Sequence, residues 1–345
     1  MHILFRCDTS TQIGTGHFMR CLSLARACRA LGDNVSIAMA QCPEWAEARV
    51  SKHQIAMLRL ATGSMDNDCE QCLKLARQAV VDAIVLDGYH FDSSYALRLK
   101  NAGFKLLLID DLYGYAQYCA HWVLNQNSYA DASKYGARDD DTQLLLGTKF
   151  ALLRPEFEVF ARKERKFPQT ARNLLMTFGG SDPAQFTSKA LEALSNTTAT
   201  LDTVLLVGGS NPKRAEIETA AHALGEKVQV RVDIQNVAEV MEWADFAVAA
   251  AGSTCWELAC MRVPSALCVI ADNQREIANV MEKNHAAVNL GWHADIVPQR
   301  LAQQIDRLAG DRTQRVELSE NIAAICDGLG AARVAKTLHG ECTNA

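Results

Sequence analysis

The chain alternates short continuous apolar runs with longer segments in which apolar residues recur every three or four positions. Runs at residues 3–5, 35–39, 55–60, 83–86 and 105–109 read as buried strands. The segments between them carry helical patterns. One places Phe18, Cys21, Leu22, Ala25, Cys28 and Leu31 on a single face, and another covers residues 95–102 with Gly103 as its C-cap. A charged, irregular stretch follows, including Arg138-Asp-Asp-Asp141, then Ala151-Leu-Leu-Arg154-Pro155-Glu-Phe157, a basic segment at 162–166 and Pro168. This reads as a domain boundary. The second half restarts the pattern, with strands at 173–178, 203–207 and 246–250.

Strands alternating with helices imply parallel sheets covered on both faces. The expected fold is therefore α/β, with two Rossmann-like parallel-sheet domains facing across a cleft. The N-terminal domain is placed at 1–155, the C-terminal domain at 170–325, and a C-terminal helix and tail at 326–345. A chain of 345 residues suits two such domains.

Composition narrows the function classes. The formal charge of −5 argues against nucleic acid as a partner. No long uncharged apolar run exists, and Arg6 and Asp8 interrupt the N-terminal run, so neither a membrane span nor a signal peptide is expected. The 12 cysteines are scattered and mostly sit in apolar patterns, as reduced core thiols of a cytoplasmic protein do. Cys69-Glu-Gln-Cys72 has the spacing of half a zinc site, but no second pair accompanies it. The expectation is a soluble monomer with no stable membrane association, no metal and no cofactor.

Four glycine-containing loops follow strands. The first leads through Ile13-Gly14-Thr-Gly16 directly into a helix that starts beside His17. Such a loop aims backbone N–H groups and the positive end of the helix at one spot. Histidine there can take a proton from water or a hydroxyl, or can simply be a satisfied helix-terminal residue. A dinucleotide site fits poorly. Met19 stands where the third glycine of G-x-G-x-x-G belongs, and the second strand ends in Ala40-Gln41-Cys42 with no acid for a ribose. In the second half the strands lead into Gly179-Gly180-Ser181-Asp182, Gly208-Gly209-Ser210-Asn211 and Ala251-Gly252-Ser253-Thr254. One such loop is only a tight turn; three together favour a phosphate-bearing ligand. None matches an NTPase P-loop.

With these features the chain resembles the glycosyltransferase-B group, and within it the UDP-2,4-diacetamido-2,4,6-trideoxy-β-L-altropyranose hydrolase family of pseudaminic acid biosynthesis. The residues that carry the resemblance are Phe5-Arg6-Cys-Asp8-Thr-Ser10 with the Gly14–His17 loop, Leu86-Asp87-Gly-Tyr89, Ile109-Asp110-Asp111, Val123-Leu-Asn-Gln-Asn127 and the Arg154 segment. The second half adds Phe178-Gly-Gly-Ser-Asp182, Gly252-Ser-Thr-Cys-Trp256-Glu257 and Asn273-Gln274. The match runs from residue 1 to about 290. Its Gly-Ser-Thr-x-Trp-Glu segment also resembles the peptidoglycan N-acetylglucosaminyltransferases, so it marks the group and not the reaction. One departure is Asp111-Leu-Tyr-Gly114-Tyr115, where a charged Asp-Arg is expected.

The resemblance implies metal-independent hydrolysis of a UDP-linked diacetamido-trideoxy sugar with inversion, a step that feeds flagellin glycosylation. His17 would be the base that polarises water. Gly16 would bind substrate, Tyr89 would face the reacting sugar or else cap its loop, and Gly252, Ser253 and Thr254 would meet the diphosphate at a helix start. Glu257 would take the ribose hydroxyls, although an acid in a first helical turn also complements the dipole. Arg154 either contacts substrate or anchors the linker. Asn273 and Gln274 either cap a helix or bind the sugar. Asp8 is placed among the substrate-binding residues; otherwise it orients His17 or Arg6, or only bonds the loop backbone. An inverting UDP-sugar glycosyltransferase and a non-catalytic nucleotide-sugar binder remain as alternatives.

Overall fold

The computed structural model describes residues 1–340 except 11, 161, 162, 181, 183, 210 and 235. Ser181 and Ser210 of the glycine loops, Arg162 of the basic segment and the tail at 341–345 thus lie outside the described residues. The chain forms two compact units, Met1–Pro155 with Leu329–Ala345, and Glu156–Gly328.

In the first unit, β1 (His2–Cys7), β2 (Asn34–Met39), β3 (Ala56–Arg59), β4 (Ala83–Asp87), β5 (Lys105–Ile109), β6 (Trp122–Asn125) and β7 (Gln143–Leu146) make one sheet. Its order is β3-β2-β1-β4-β5-β6-β7, and every pairing is parallel. The crossovers include α1 (Gly16–Ala30), α2 (Glu44–Lys52), α3 (Met65–Gln78) and α4 (Ser93–Asn101). Side chains alternate across the sheet as the pleat requires. Ile3, Phe5 and Cys7 of β1 pack with α1 and α2, whereas Leu4 packs with α3 and α4. Local chemistry starts the helices: Ser64 accepts from Asn67 N–H at α3, and Asp92 from Tyr95 N–H at α4.

The second unit repeats the plan. Strands β8 (Asn173–Thr177), β9 (Asp202–Val207), β10 (Val228–Val232), β11 (Phe246–Ala250), β12 (Ser265–Val269) and β13 (Val288–Trp292) pair in the parallel order β10-β9-β8-β11-β12-β13. Around this sheet lie α5 (Phe186–Ser195), α6 (Arg214–Ala223), α7 (Val237–Trp243), α8 (Thr254–Cys260), α9 (Arg275–Lys283), α10 (Pro298–Gly310) and α11 (Arg312–Ala323). The last helix, α12 (Gly330–Leu338), returns to the first unit. There Ala331, Val334, Ala335 and Leu338 join the core beneath α1. Gly330 permits this docking, because a Cβ on it would stand 2.4 Å from the Ala151 backbone.

Both sheets reverse their strand order at the first strand, between β1 and β4 and between β8 and β11. Loops leaving adjacent strands at such a point diverge, and ligands bind in the crevice beyond the carboxyl ends. Among the described residues no helix is long and apolar enough to cross a membrane, and 11 cysteines are free thiols, with Cys69 and Cys72 buried in the core.

Candidate active site

The first switch point gathers the N-terminal chemistry. Cys7, at the end of β1, pairs with Asp87, at the end of β4. The loop leaving β1 is closed by Gly14 N–H donating to Ser10 O at 2.9 Å and by the Thr9 hydroxyl donating to Gly14 O at 2.8 Å. Gly14 takes φ of 81°, a left-handed turn that favours glycine. The chain then enters α1, with His17 in its first turn.

His17 is held by Asp87. Its Nδ1 lies 2.7 Å from Asp87 Oδ1, and Asp87 is wholly buried. The carboxylate favours the tautomer with its proton on Nδ1, in which Nε2 is the acceptor. Arg20 sits one turn further along α1 and grips the same carboxylate with both arms, Nε on Oδ2 and Nη2 on Oδ1, each at 2.6 Å. Its Nη1 reaches Asp111 Oδ2 at 2.9 Å, just beyond β5. Burial by itself would raise the pKa of Asp87; the Arg20 guanidinium and then His17 override it and hold the group well below the usual carboxylate range. Burial opposes the charge on Arg20 too, but Asp87 and Asp111 keep it firmly protonated. The cluster sets one cation against two carboxylates, so one negative charge is uncompensated while the imidazole is neutral. The Tyr89 ring meets the imidazole edge-on, with centroids 4.5 Å apart, and is itself 53% exposed.

Asp8 has a different job from the one that would have it orient His17. Its Oδ2 accepts from Arg6 Nη2 at 2.8 Å, and Oδ1 accepts from the backbone N–H groups of Ala40 and Gln41 at 2.7 and 2.9 Å. Burial pushes its pKa up, but Arg6 and these N–H groups bring it below the ordinary value. Arg6 also pairs with Asp68, so Asp8 belongs to a buried network that ties β1 to β2 and α3. Gly16 has no neighbour within 4 Å of where a Cβ would stand, and its φ is ordinary. Neither packing nor backbone conformation within the chain demands glycine there.

The second switch point presents the other candidates. Gly252, Ser253 and Thr254 link β11 to α8, and Glu257 stands half-buried in the first turn of this seven-residue helix. Gln274 borders the same loop: its Oε1 accepts from Ile270 N–H at 3.0 Å, and its Nε2 lies 3.6 Å from the Cβ position of Gly252. Gln274 occupies the N-cap position of α9 without a capping side-chain bond, and Asn273 is exposed beside it. Helix capping therefore does not account for this pair. Arg154 is half-buried next to Pro155, where the first segment of the N-terminal unit ends.

The other two glycine loops are explained by packing. A Cβ on Gly208 would stand 2.0 Å from Gly180 O, so those loops touch backbone to backbone. Asp182 caps α5, accepting from Phe186 and Thr187 N–H at 2.9 and 2.8 Å. Asp87, Arg20 and Asp111 were not singled out for a role in the sequence, although two of them lie in segments that carry the resemblance. The legible signal was an aspartate closing an otherwise apolar strand next to the histidine's own strand, with an arginine at i+3 from that histidine.

Known proteins bear on this geometry. The structure of Acinetobacter baumannii MurG matches with a TM-score of 0.70 over 99% of both chains, at 16% identity. The chain has the glycosyltransferase-B fold. Residues 174–337 match the Glycosyltransferase family 28 C-terminal domain, the region that holds Gly252, Glu257 and Gln274. The chain is also similar to the UDP-2,4-diacetamido-2,4,6-trideoxy-beta-L-altropyranose hydrolase of Campylobacter jejuni, at 25% identity over 82% of this chain and 97% of that one. The uncharacterised protein MJ1062 of Methanocaldococcus jannaschii is 25% identical over 80% of this chain. The aligned region spans 57% of that longer relative.

Proposed function

We propose that this glycosyltransferase-B-fold chain hydrolyses a UDP-linked 2,4-diacetamido-2,4,6-trideoxy sugar at its anomeric carbon, in pseudaminic acid biosynthesis. The reading rests above all on the buried Asp87–His17 pair, 2.7 Å apart, at the β1/β4 switch point. Similarity to the Campylobacter jejuni hydrolase supports it.

In this mechanism His17 Nε2 accepts a proton from water as the water oxygen attacks the anomeric carbon. The bond from that carbon to the diphosphate oxygen breaks, and its electron pair leaves with UDP. Attack from the face opposite UDP inverts the configuration. Asp87 stabilises the imidazolium that forms, and protonation cancels the uncompensated negative charge of the Arg20 cluster. The C-terminal unit takes the UDP. Glu257 accepts from the ribose hydroxyls, and backbone N–H groups of the 252–254 loop meet the diphosphate, with no metal ion. Gly16, Tyr89, Arg154, Asn273 and Gln274 contact the sugar or diphosphate. Asp8 acts at one remove, by fixing the β1 loop through Arg6.

A glycosyltransferase reading differs only in replacing water by a sugar hydroxyl. The test of the base is His17→Ala. It should fold and bind UDP as the wild type does while turnover falls about a hundredfold or more. Near wild-type turnover would remove His17 from the mechanism.

A further inference from the structure

The Arg20 cluster contains a poorly satisfied acceptor. Asp111 Oδ2 takes the Arg20 guanidinium, but Oδ1 is buried and lacks a well-formed hydrogen bond, with the Tyr89 hydroxyl acting on this carboxylate. A buried carboxylate oxygen left unpaired is costly, and a native fold that keeps one needs a reason. Folding the protein's own backbone does not supply that reason. The neighbouring Asp110 already satisfies the loop, accepting from Leu112 and Gly114 N–H at 3.0 Å each and from the Tyr118 hydroxyl at 2.6 Å.

The location of this oxygen is informative. One guanidinium spans Asp111 and the base: Arg20 Nη1 is 2.9 Å from Asp111 Oδ2, and Nη2 is 3.1 Å from His17 Nδ1. Tyr89 spans the same two residues, with its ring 4.5 Å from the His17 ring and its hydroxyl acting on Asp111, so a substrate that takes its place against His17 would bring the substituent next to the anomeric carbon toward Asp111. Tyr89 is the exposed member of the group. Its ring rests against His17, and its phenol is pushed above the ordinary value by burial and by the Asp111 carboxylate. With about half of its surface exposed, Tyr89 is the side chain of the group that can yield to a ligand.

The chemistry around the open oxygen selects the ligand class. His17 Nε2 and Asp111 Oδ1 are both acceptors, and every nitrogen of Arg20 is already directed at a carboxylate or at His17. One negative charge is left over. Such a surface matches a group that donates without needing to accept, namely an amide N–H or an ammonium, better than a hydroxyl, which does both. We infer that Asp111 is a specificity-determining residue that receives an N–H donor on the sugar carbon adjoining the anomeric centre, displacing the Tyr89 hydroxyl.

This inference rests on the UDP-sugar reading, and the test separates the two. UDP-N-acetylglucosamine, UDP-glucosamine and UDP-glucose differ at that one carbon, which bears an acetamido, ammonium or hydroxyl group. Their affinities, and that of UDP alone, are measured by titration calorimetry with wild type, Asp111→Asn and Tyr89→Phe. Wild type should bind both nitrogen-bearing sugars about tenfold or more tightly than UDP-glucose, the effect of one hydrogen bond to a charged group. Asp111→Asn should abolish that preference while binding UDP unchanged, which also shows that it is folded. Tyr89→Phe keeps the ring and should keep the preference. A wild type that binds UDP but does not discriminate would overturn the inference, as would a preference that survives Asp111→Asn or vanishes in Tyr89→Phe. Failure to bind UDP at all would instead sink the UDP-sugar reading itself.

Discussion

Replacing Asp87 by asparagine tests the core of the N-terminal site, because it alters charge with little change of shape. In the wild type the Asp87 carboxylate takes one bond from His17 and two from Arg20, all between 2.6 and 2.7 Å and all buried. An amide offers one oxygen and turns an N–H₂ group toward the other partner. Either it repels Arg20 or it donates to His17 Nδ1, which moves the imidazole proton to Nε2 and removes the lone pair that the proposed water activation needs. Wrong-tautomer effects of this kind cost roughly 10²–10⁴ in turnover. Breaking one partner out of a buried ion pair costs about 3–5 kcal/mol; the retained oxygen favours the lower end, near 3 kcal/mol. For a unit of this size that is a loss of roughly 6–12 °C in melting temperature. The sign with pH follows from the depressed folded-state pKa of Asp87. Its contribution is present above the unfolded value of about 3.9 and disappears as pH falls through the lower folded value. The stability gap between wild type and Asp87→Asn should therefore be widest at neutral pH and close progressively in acid below about pH 4. Thermal unfolding at several pH values and the rate of UDP release measure both effects. Turnover within a few-fold of wild type, while His17→Ala is inactive, would show that Asp87 does not hold the base.

Glu257→Ala should weaken UDP itself about ten- to hundredfold by calorimetry, because the bonds proposed for it are to the ribose and remote from the bond that breaks; wild-type UDP affinity would take the ribose away from Glu257. Turnover should persist after exhaustive EDTA treatment, and loss on chelation with rescue by magnesium would require a cation at the diphosphate.

The sequence was most readable where burial is two-sided and the apolar run is unbroken. The segments at 3–5 and 83–86 are wholly buried in the central strands β1 and β4, and 105–109 is buried in β5 after its exposed Lys105; all three appear within a residue or two of where the pattern put them. Strand β7 was not marked, because it has only four residues and follows the charged 138–141 turn, and β6 was not, because its short apolar run at 122–124 ends in the polar Asn125-Gln-Asn127. Strand β10 is an edge strand of alternating half-buried and exposed positions, a weaker signal. The helical run at 330–338 was legible as a helix, but its docking beneath α1 depends on Gly330 meeting the Ala151 backbone, a contact between distant segments. The same limit applies to the site. His17 was visible from its loop, whereas Asp87 and Asp111 are brought to it by strand order, 70 positions away in one case. Asp8 was visible as a charged residue near His17 in sequence, but the pleat turns it to Arg6 and the backbone of β2's exit loop.

The central claim is that water, activated by His17, displaces UDP with inversion. Real-time proton NMR of the wild-type chain with a UDP-linked 2,4-diacetamido-2,4,6-trideoxy sugar tests it directly. The account predicts free UDP and free sugar appearing together without any added acceptor, the first-formed anomer having the configuration opposite to that of the substrate. Release of the retained anomer, or UDP release only when an acceptor sugar is supplied, would contradict it.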